Sequence, residues 1–133
     1  MAPQLESALF HFTLHNEFVG EPGTLPPLLD YLGAAVSVRP ISETNRCQNG
    51  FSHIFGDVMG YAAGYYSYKW AEVLSADAFS KFKEDGIFNR HTGERFLTTV
   101  LEQGGARDAL DLFIEFRGRA PTVSALLQQE GIV

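Results

Sequence analysis

Apolar residues recur at helical spacing through nearly every segment of this 133-residue chain, and Gly and Pro repeatedly interrupt that pattern. Nowhere does the period-two alternation of a half-buried strand persist for more than a few positions. The chain is therefore expected to be all-α, an irregular array of several helices joined by Gly- and Pro-containing turns. The first helix is predicted from about Gln4 to Phe18, with Leu5, Ala8, Leu9 and Phe12 inward and a stop at Gly20. A turn with Pro22 leads to a second, opened by Pro26-Pro27, lined by Leu25, Leu28, Leu29, Leu32 and Val36, and ended by Pro40. Ser42 to Gly50 reads as a polar loop. A long helix follows from Tyr61 to near Asp85. Next comes one capped by Thr92, from about Glu94 to Glu102, with Phe96, Leu97, Val100 and Leu101 inward. The last two run from about Arg107 to Phe116, before Gly118, and from Val123 to Glu130, with Leu126 and Leu127 buried and Gly131 as the stop.

Length fits one domain spanning 1–133, large enough to bury roughly two thirds of its unfolded surface. The formal net charge of -6 argues against nucleic acid and anionic membranes as partners. Cys47 stands alone, which excludes an internal disulfide and a multi-thiolate metal site and fits a reducing compartment. No apolar run approaches the roughly 20 residues of a membrane span, and no basic-then-apolar leader opens the chain. These readings together predict a cytoplasmic protein.

Chemistry concentrates between Phe51 and Trp70. On a helix, Tyr61, Tyr65 and Tyr68 fall at i, i+4 and i+7, so three phenols share a face that continues through Glu72 and Ser75. Tyr66, Trp70, Val73 and Leu74 form the opposite, apolar stripe. Such a helix, entered through a glycine loop, reads as the wall of a polar cleft; the alternative is a tyrosine-filled core edge with its hydroxyls satisfied. His11 and His15 share a face at i, i+4, a spacing in which two imidazoles can hold one zinc ion. A zincin helix, however, carries Glu directly after its first His, and here Phe12 stands there. The pair is read as surface or edge histidines.

Phe51-Ser-His-Ile-Phe55 followed by Gly60-Tyr-Ala-Ala-Gly-Tyr-Tyr-Ser-Tyr-Lys-Trp70 resembles the C-terminal signature of the oligopeptidase A and thimet oligopeptidase family of zinc metallopeptidases. Ala8 to His15, Ala76 to Phe79, Gly86 to Asn89, Gly104-Gly105 and Phe116 to Pro121 are similar to the family's bacterial members in the same order. The resemblance implies the C-terminal helical part of a zincin-like catalytic domain, from one side of a cleft that cuts short peptides. It implies Tyr68 as the phenol that donates to the oxyanion, Tyr61 and His53 as its catalytic neighbours, and Tyr65 and Gly60 as substrate contacts. Zinc in the family is held by His-Glu-x-x-His and a further Glu, and this sequence contains no His-Glu-x-x-His. No cofactor is therefore expected in this chain, which would be inactive alone. Gly56-Asp-Val-Met-Gly60 is two residues longer than the matching bacterial loop, which ends Ala-Gly-Gly.

Two other readings stand beside this one: a non-catalytic module that binds a peptide or protein, and a small metalloenzyme built on His11, His15 and Glu17. Under the fragment reading, surface left exposed by the missing part would drive self-association.

Overall fold

Proline and capping chemistry set where the helices begin. In the computed structural model, which describes residues 1–21, 23–38, 42–57 and 60–133, α1 (Ala2–Asn16) carries Pro3 in its first turn, where a missing N–H costs nothing. Helix α2 (Leu25–Val36) likewise places Pro26 and Pro27 in its first turn and ends as the Ser37 N–H donates to the Gly33 carbonyl at 2.7 Å. Pro22, Pro40, Val58 and Met59, to which the sequence assigned turn, stop and loop roles, lie outside the described residues. Among the described residues the regular structure is helical throughout, as expected of an all-α chain.

The chain divides into two compact units, Met1–Lys69 and Trp70–Val133. The first is built on α1 and α2. Phe10, Leu29 and Leu32 form its buried centre, with Leu14, Leu25 and Leu28 packed around them. Full burial of each such side chain contributes about 1.5–3 kcal/mol. Of the face its periodicity predicted, Ala8 is buried, but α1 also buries Phe10 and His11 while Leu9 and Phe12 are exposed. His11 is thus a core residue and only His15 lies at the surface, which corrects the surface-pair reading. Ser37 Oγ donates to Glu6, tying the end of α2 to α1. A 3-10 turn at Cys47–Gly50 and the single-turn α3 (Ser52–Phe55), anchored by buried Ile54, complete the ordered elements of the unit before α4 begins.

Helix α4 runs Ser67–Asp85, not from Tyr61. Residues 61–66 form turns closed by i to i+3 bonds, with Gly64 N–H donating to Tyr61 O at 2.9 Å and Ser67 N–H to Gly64 O at 3.0 Å. Ala63 sits at φ 53°, a left-handed conformation that an α-helix cannot absorb. The apolar stripe expected behind the phenols is incomplete: Val73 is buried, but Tyr66 and Trp70 are exposed.

In the second unit, α5 (Arg90–Phe96) passes into a π-helical stretch at Leu97–Leu101. The wider turn shifts the side-chain register, so Leu97 and Leu101 face solvent where the α-period placed them inward. The cap is Asn89, whose side chain accepts from the Thr92 N–H at 3.2 Å; Thr92, the expected cap, instead donates its hydroxyl to Asp85 Oδ2 at 2.7 Å. Helix α6 (Ala109–Arg117) is capped by Asp108 and stops at Gly118, in the left-handed region at φ 83°. Helix α7 (Ser124–Gln129) buries Leu126. Phe82, Phe96 and Phe116 meet edge-on or tilted, with centroids 5.1–6.1 Å apart, around the deeply buried Phe116.

Candidate functional site

Five rings in the first unit form a continuous run from solvent into the core. His53, exposed on α3, lies 6.0 Å from the Tyr61 ring; Tyr61 lies 5.3 Å from Tyr68, and Tyr68 5.2 Å from Tyr65. Tyr65 then meets the fully buried His11 ring edge-on at 4.9 Å. Phe51 closes the inner end, edge-on to both His11 at 4.7 Å and Tyr65 at 5.3 Å. The helical face drawn from the sequence does not exist, because Tyr61 and Tyr65 precede α4. The three phenols converge nonetheless, since the tight turns of residues 61–66 fold Tyr61 and Tyr65 back toward Tyr68 in the first turn of α4.

The loop before this turn is held by its own backbone. Gly60 N–H donates to Asp57 O and Tyr61 N–H to His53 O, both at 3.3 Å. A Cβ on Gly60 would stand 3.3 Å from the His53 carbonyl, so a larger residue would push the loop off α3. Of the residues singled out in the sequence, Tyr61, Tyr65, Tyr68 and His53 share this run, with Gly60 at its entry.

The Tyr68 phenol is shifted upward, first by its hydrogen bond with Tyr61, then by desolvation and by the neighbouring Tyr61 and Tyr65. A phenol is protonated across the neutral range in any case, and this shift moves Tyr68 further from ionisation. Phenol hydroxyls arranged in this way can stabilise developing negative charge but cannot generate a nucleophile.

Metal ligation was tested against the same residues. His15 Nδ1 is paired with the His11 carbonyl at 2.8 Å, and the His11 ring is enclosed by Phe10, Phe51 and Tyr65. Among the described residues no group of three or more His, Cys, Asp or Glu side chains comes together. As placed, His11 and His15 do not fit a shared zinc ion.

Sequence reasoning missed one buried cluster, in the second unit. Asp77, fully buried on α4, accepts from Arg119 Nη1 and Nη2 at 2.7 and 2.6 Å, from the Thr122 N–H at 2.8 Å and from Arg117 Nε at 3.3 Å. Arg117 continues to Ser80 and Glu84. Burial works to raise the Asp77 carboxyl, but the Arg119 hydrogen bonds, the Thr122 amide and the two guanidinium groups outweigh it and lower it to about 2. An acid directly after Ala76 on the buried side of α4, with Arg117-Gly-Arg119 downstream, was the available signal.

The profile of peptidase family M3 matches residues 1–132. The chain belongs to peptidase family M3. This is a family of zinc-dependent metallopeptidases. Oligopeptidase A of Escherichia coli (strain K12) is 50% identical over 130 residues, covering 97% of this chain and 19% of that protein. The organellar oligopeptidase A of Arabidopsis thaliana, chloroplastic and mitochondrial, is 43% identical over 98% of this chain and 17% of its own length. Dipeptidyl carboxypeptidase of Escherichia coli (strain K12) is 42% identical over 82 residues, 62% of this chain and 12% of that protein. The chain thus spans about a fifth of the length of the oligopeptidases it matches. Among the described residues, no helix is long and apolar enough to cross a membrane.

Proposed function

We propose that this M3 segment forms the substrate-facing, charge-stabilising side of a cleft that hydrolyses short peptides. Tyr68 is the donor to the oxyanion, Tyr61 and His53 flank it, Tyr65 touches the peptide, and Gly60 lets the backbone approach closely. The observation that carries this reading is the convergence of the three phenols, Tyr61 and Tyr65 each about 5 Å from the Tyr68 ring. Such a donor acts by meeting negative charge that develops only in the transition state. The zinc ion and the base for the attacking water lie outside these 133 residues, so the chain has no turnover by itself. In this reading residues 1–133 are one helical segment of a larger cytoplasmic catalytic domain.

Grafting offers a direct test. With this segment replacing the matching 130 residues of Escherichia coli oligopeptidase A, hydrolysis of a quenched peptide should persist. Tyr68→Phe in the chimera should lower kcat about 100-fold or more with KM little changed, since the bond forms only in the transition state. Equal losses in kcat and in substrate affinity would remove the oxyanion role. Stoichiometric zinc uptake with hydrolysis by the 133-residue chain alone would overturn the assignment of the chemistry elsewhere.

A further inference from the structure

His11 is the one residue of the ring run that no catalytic or substrate-binding role absorbs, and it is placed at some cost. It is fully buried, and neither ring nitrogen has a hydrogen-bond partner among the described residues. An imidazole always carries at least one N–H and, when neutral, one acceptor, so leaving both unpaired in the core is unfavourable. What the ring makes instead is contact with other rings: Phe10 tilted at 5.5 Å, Phe51 and Tyr65 both edge-on with interplanar angles of 88°. Tyr65 in turn contacts Tyr68. We propose that His11 is a positioning residue whose uncharged ring fixes Tyr65 against Tyr68, so that protonating it loosens the phenol cluster while the rest of the chain stays folded.

The neighbours support a ring that resists charge. No carboxylate pairs with it among the described residues. From α1 the group that acts on it is His15, one turn on, whose positive form repels a second positive charge. From the turn packed against it comes only the Tyr65 hydroxyl, and Phe51 brings no titratable group. Desolvation first, and His15 second, lower His11 to about 4. The functional weight of the proposal rests on the reading of Tyr65 and Tyr68 as peptide-facing; the coupling itself does not.

The test follows assigned ring signals of the 13C-labelled 133-residue chain by NMR as pH falls from 7. His11 should titrate near 4, and the Tyr65 and Tyr68 ring signals should shift with the same midpoint while those of Phe116 and Leu126 hold. Tyrosine signals that ignore His11 would overturn the proposal, as would Phe116 and Leu126 moving with it, which would make the event plain acid unfolding. Carboxylates also titrate in this range, so two variants separate the causes. His11→Phe keeps an aromatic ring and should abolish the tyrosine step; a surviving step would sink the idea. His15→Gln, at the surface, removes the repelling charge and should move the His11 and tyrosine midpoints upward together. A tyrosine midpoint that stays in place would overturn the coupling even if His11→Phe fails to fold. Loss of this coupling would leave the effect of Tyr68→Phe on kcat untouched, so the two readings fail separately.

Discussion

Two buried ionisable side chains, His11 and Asp77, are both shifted downward, one held neutral and the other held charged, and both lose their support of the fold as pH falls. His11 is kept neutral by desolvation and His15, so the unfolded chain binds the extra proton between its unfolded value of 6.5 and about 4. Its neutral burial supports the fold above 6.5, and that support drains away as pH falls through the window, by about 3 kcal/mol in all. Asp77 is kept charged by Arg119, Thr122 and Arg117 in spite of burial. Its contribution is present above 3.8 and is lost as pH falls toward about 2. Urea unfolding measured against pH should show stability falling in the first window in the native chain, and staying flatter there in His11→Phe. Asp77→Ala should cost about 3–5 kcal/mol at neutral pH, because two guanidinium groups lose a shared buried partner. Arg119→Ala should cost less, since the Arg119 side chain is 40% exposed; comparable losses would mean that the carboxylate is not the centre of the network.

At the level of helices, local signals and tertiary packing part company. The end of α6 was legible because Gly118 is chemical punctuation, free to take φ 83°, whereas its start was placed two residues early, before Asp108, whose side chain accepts two N–H groups and caps the helix. The start of α4 was not legible, because the i, i+4, i+7 spacing of Tyr61, Tyr65 and Tyr68 continues a helical period through residues whose backbone is not helical. Gly60 and Gly64 weaken a helix there by about 1 kcal/mol each relative to Ala, and the Ala63 conformation breaks it. The grouping of the phenols was therefore foreseen correctly for a geometric reason that does not hold. Likewise α1 buries Phe10 because α2 packs on it and His11 because Phe51 and Tyr65 close over it, which no periodicity within α1 records. 13Cα secondary shifts should become helical at Ser67 and not at Tyr61; a helical run from Tyr61 would restore the single tyrosine face. For α5, Asn89→Ala should cost about 1 kcal/mol in thermal unfolding, the usual loss of an N-cap.

Across the whole molecule, membership of peptidase family M3 was readable from the motif order, while which large apolar residues lie exposed was not. Phe88 is 98% exposed beside the exposed Ile87, and Trp70, Tyr66, Tyr31 and Phe12 also lie open to solvent. Single exposed apolar residues are ordinary, but this many large ones on a chain of 133 residues favour association. The net charge of -6 opposes it through repulsion between copies, and that repulsion weakens as the Debye length falls from about 10 Å at 0.1 M salt to about 3 Å at 1 M. Apolar burial is not screened in this way. Sedimentation velocity of the 133-residue chain should therefore show mass rising with concentration, and rising further with added salt, together with binding of a hydrophobic dye. Substituting Phe88 and Trp70 by Ser should weaken both signals. A chain that stays monomeric at every concentration and salt level, with no dye bound, would show that these side chains are tolerated in water as they stand, and self-association would have to be abandoned.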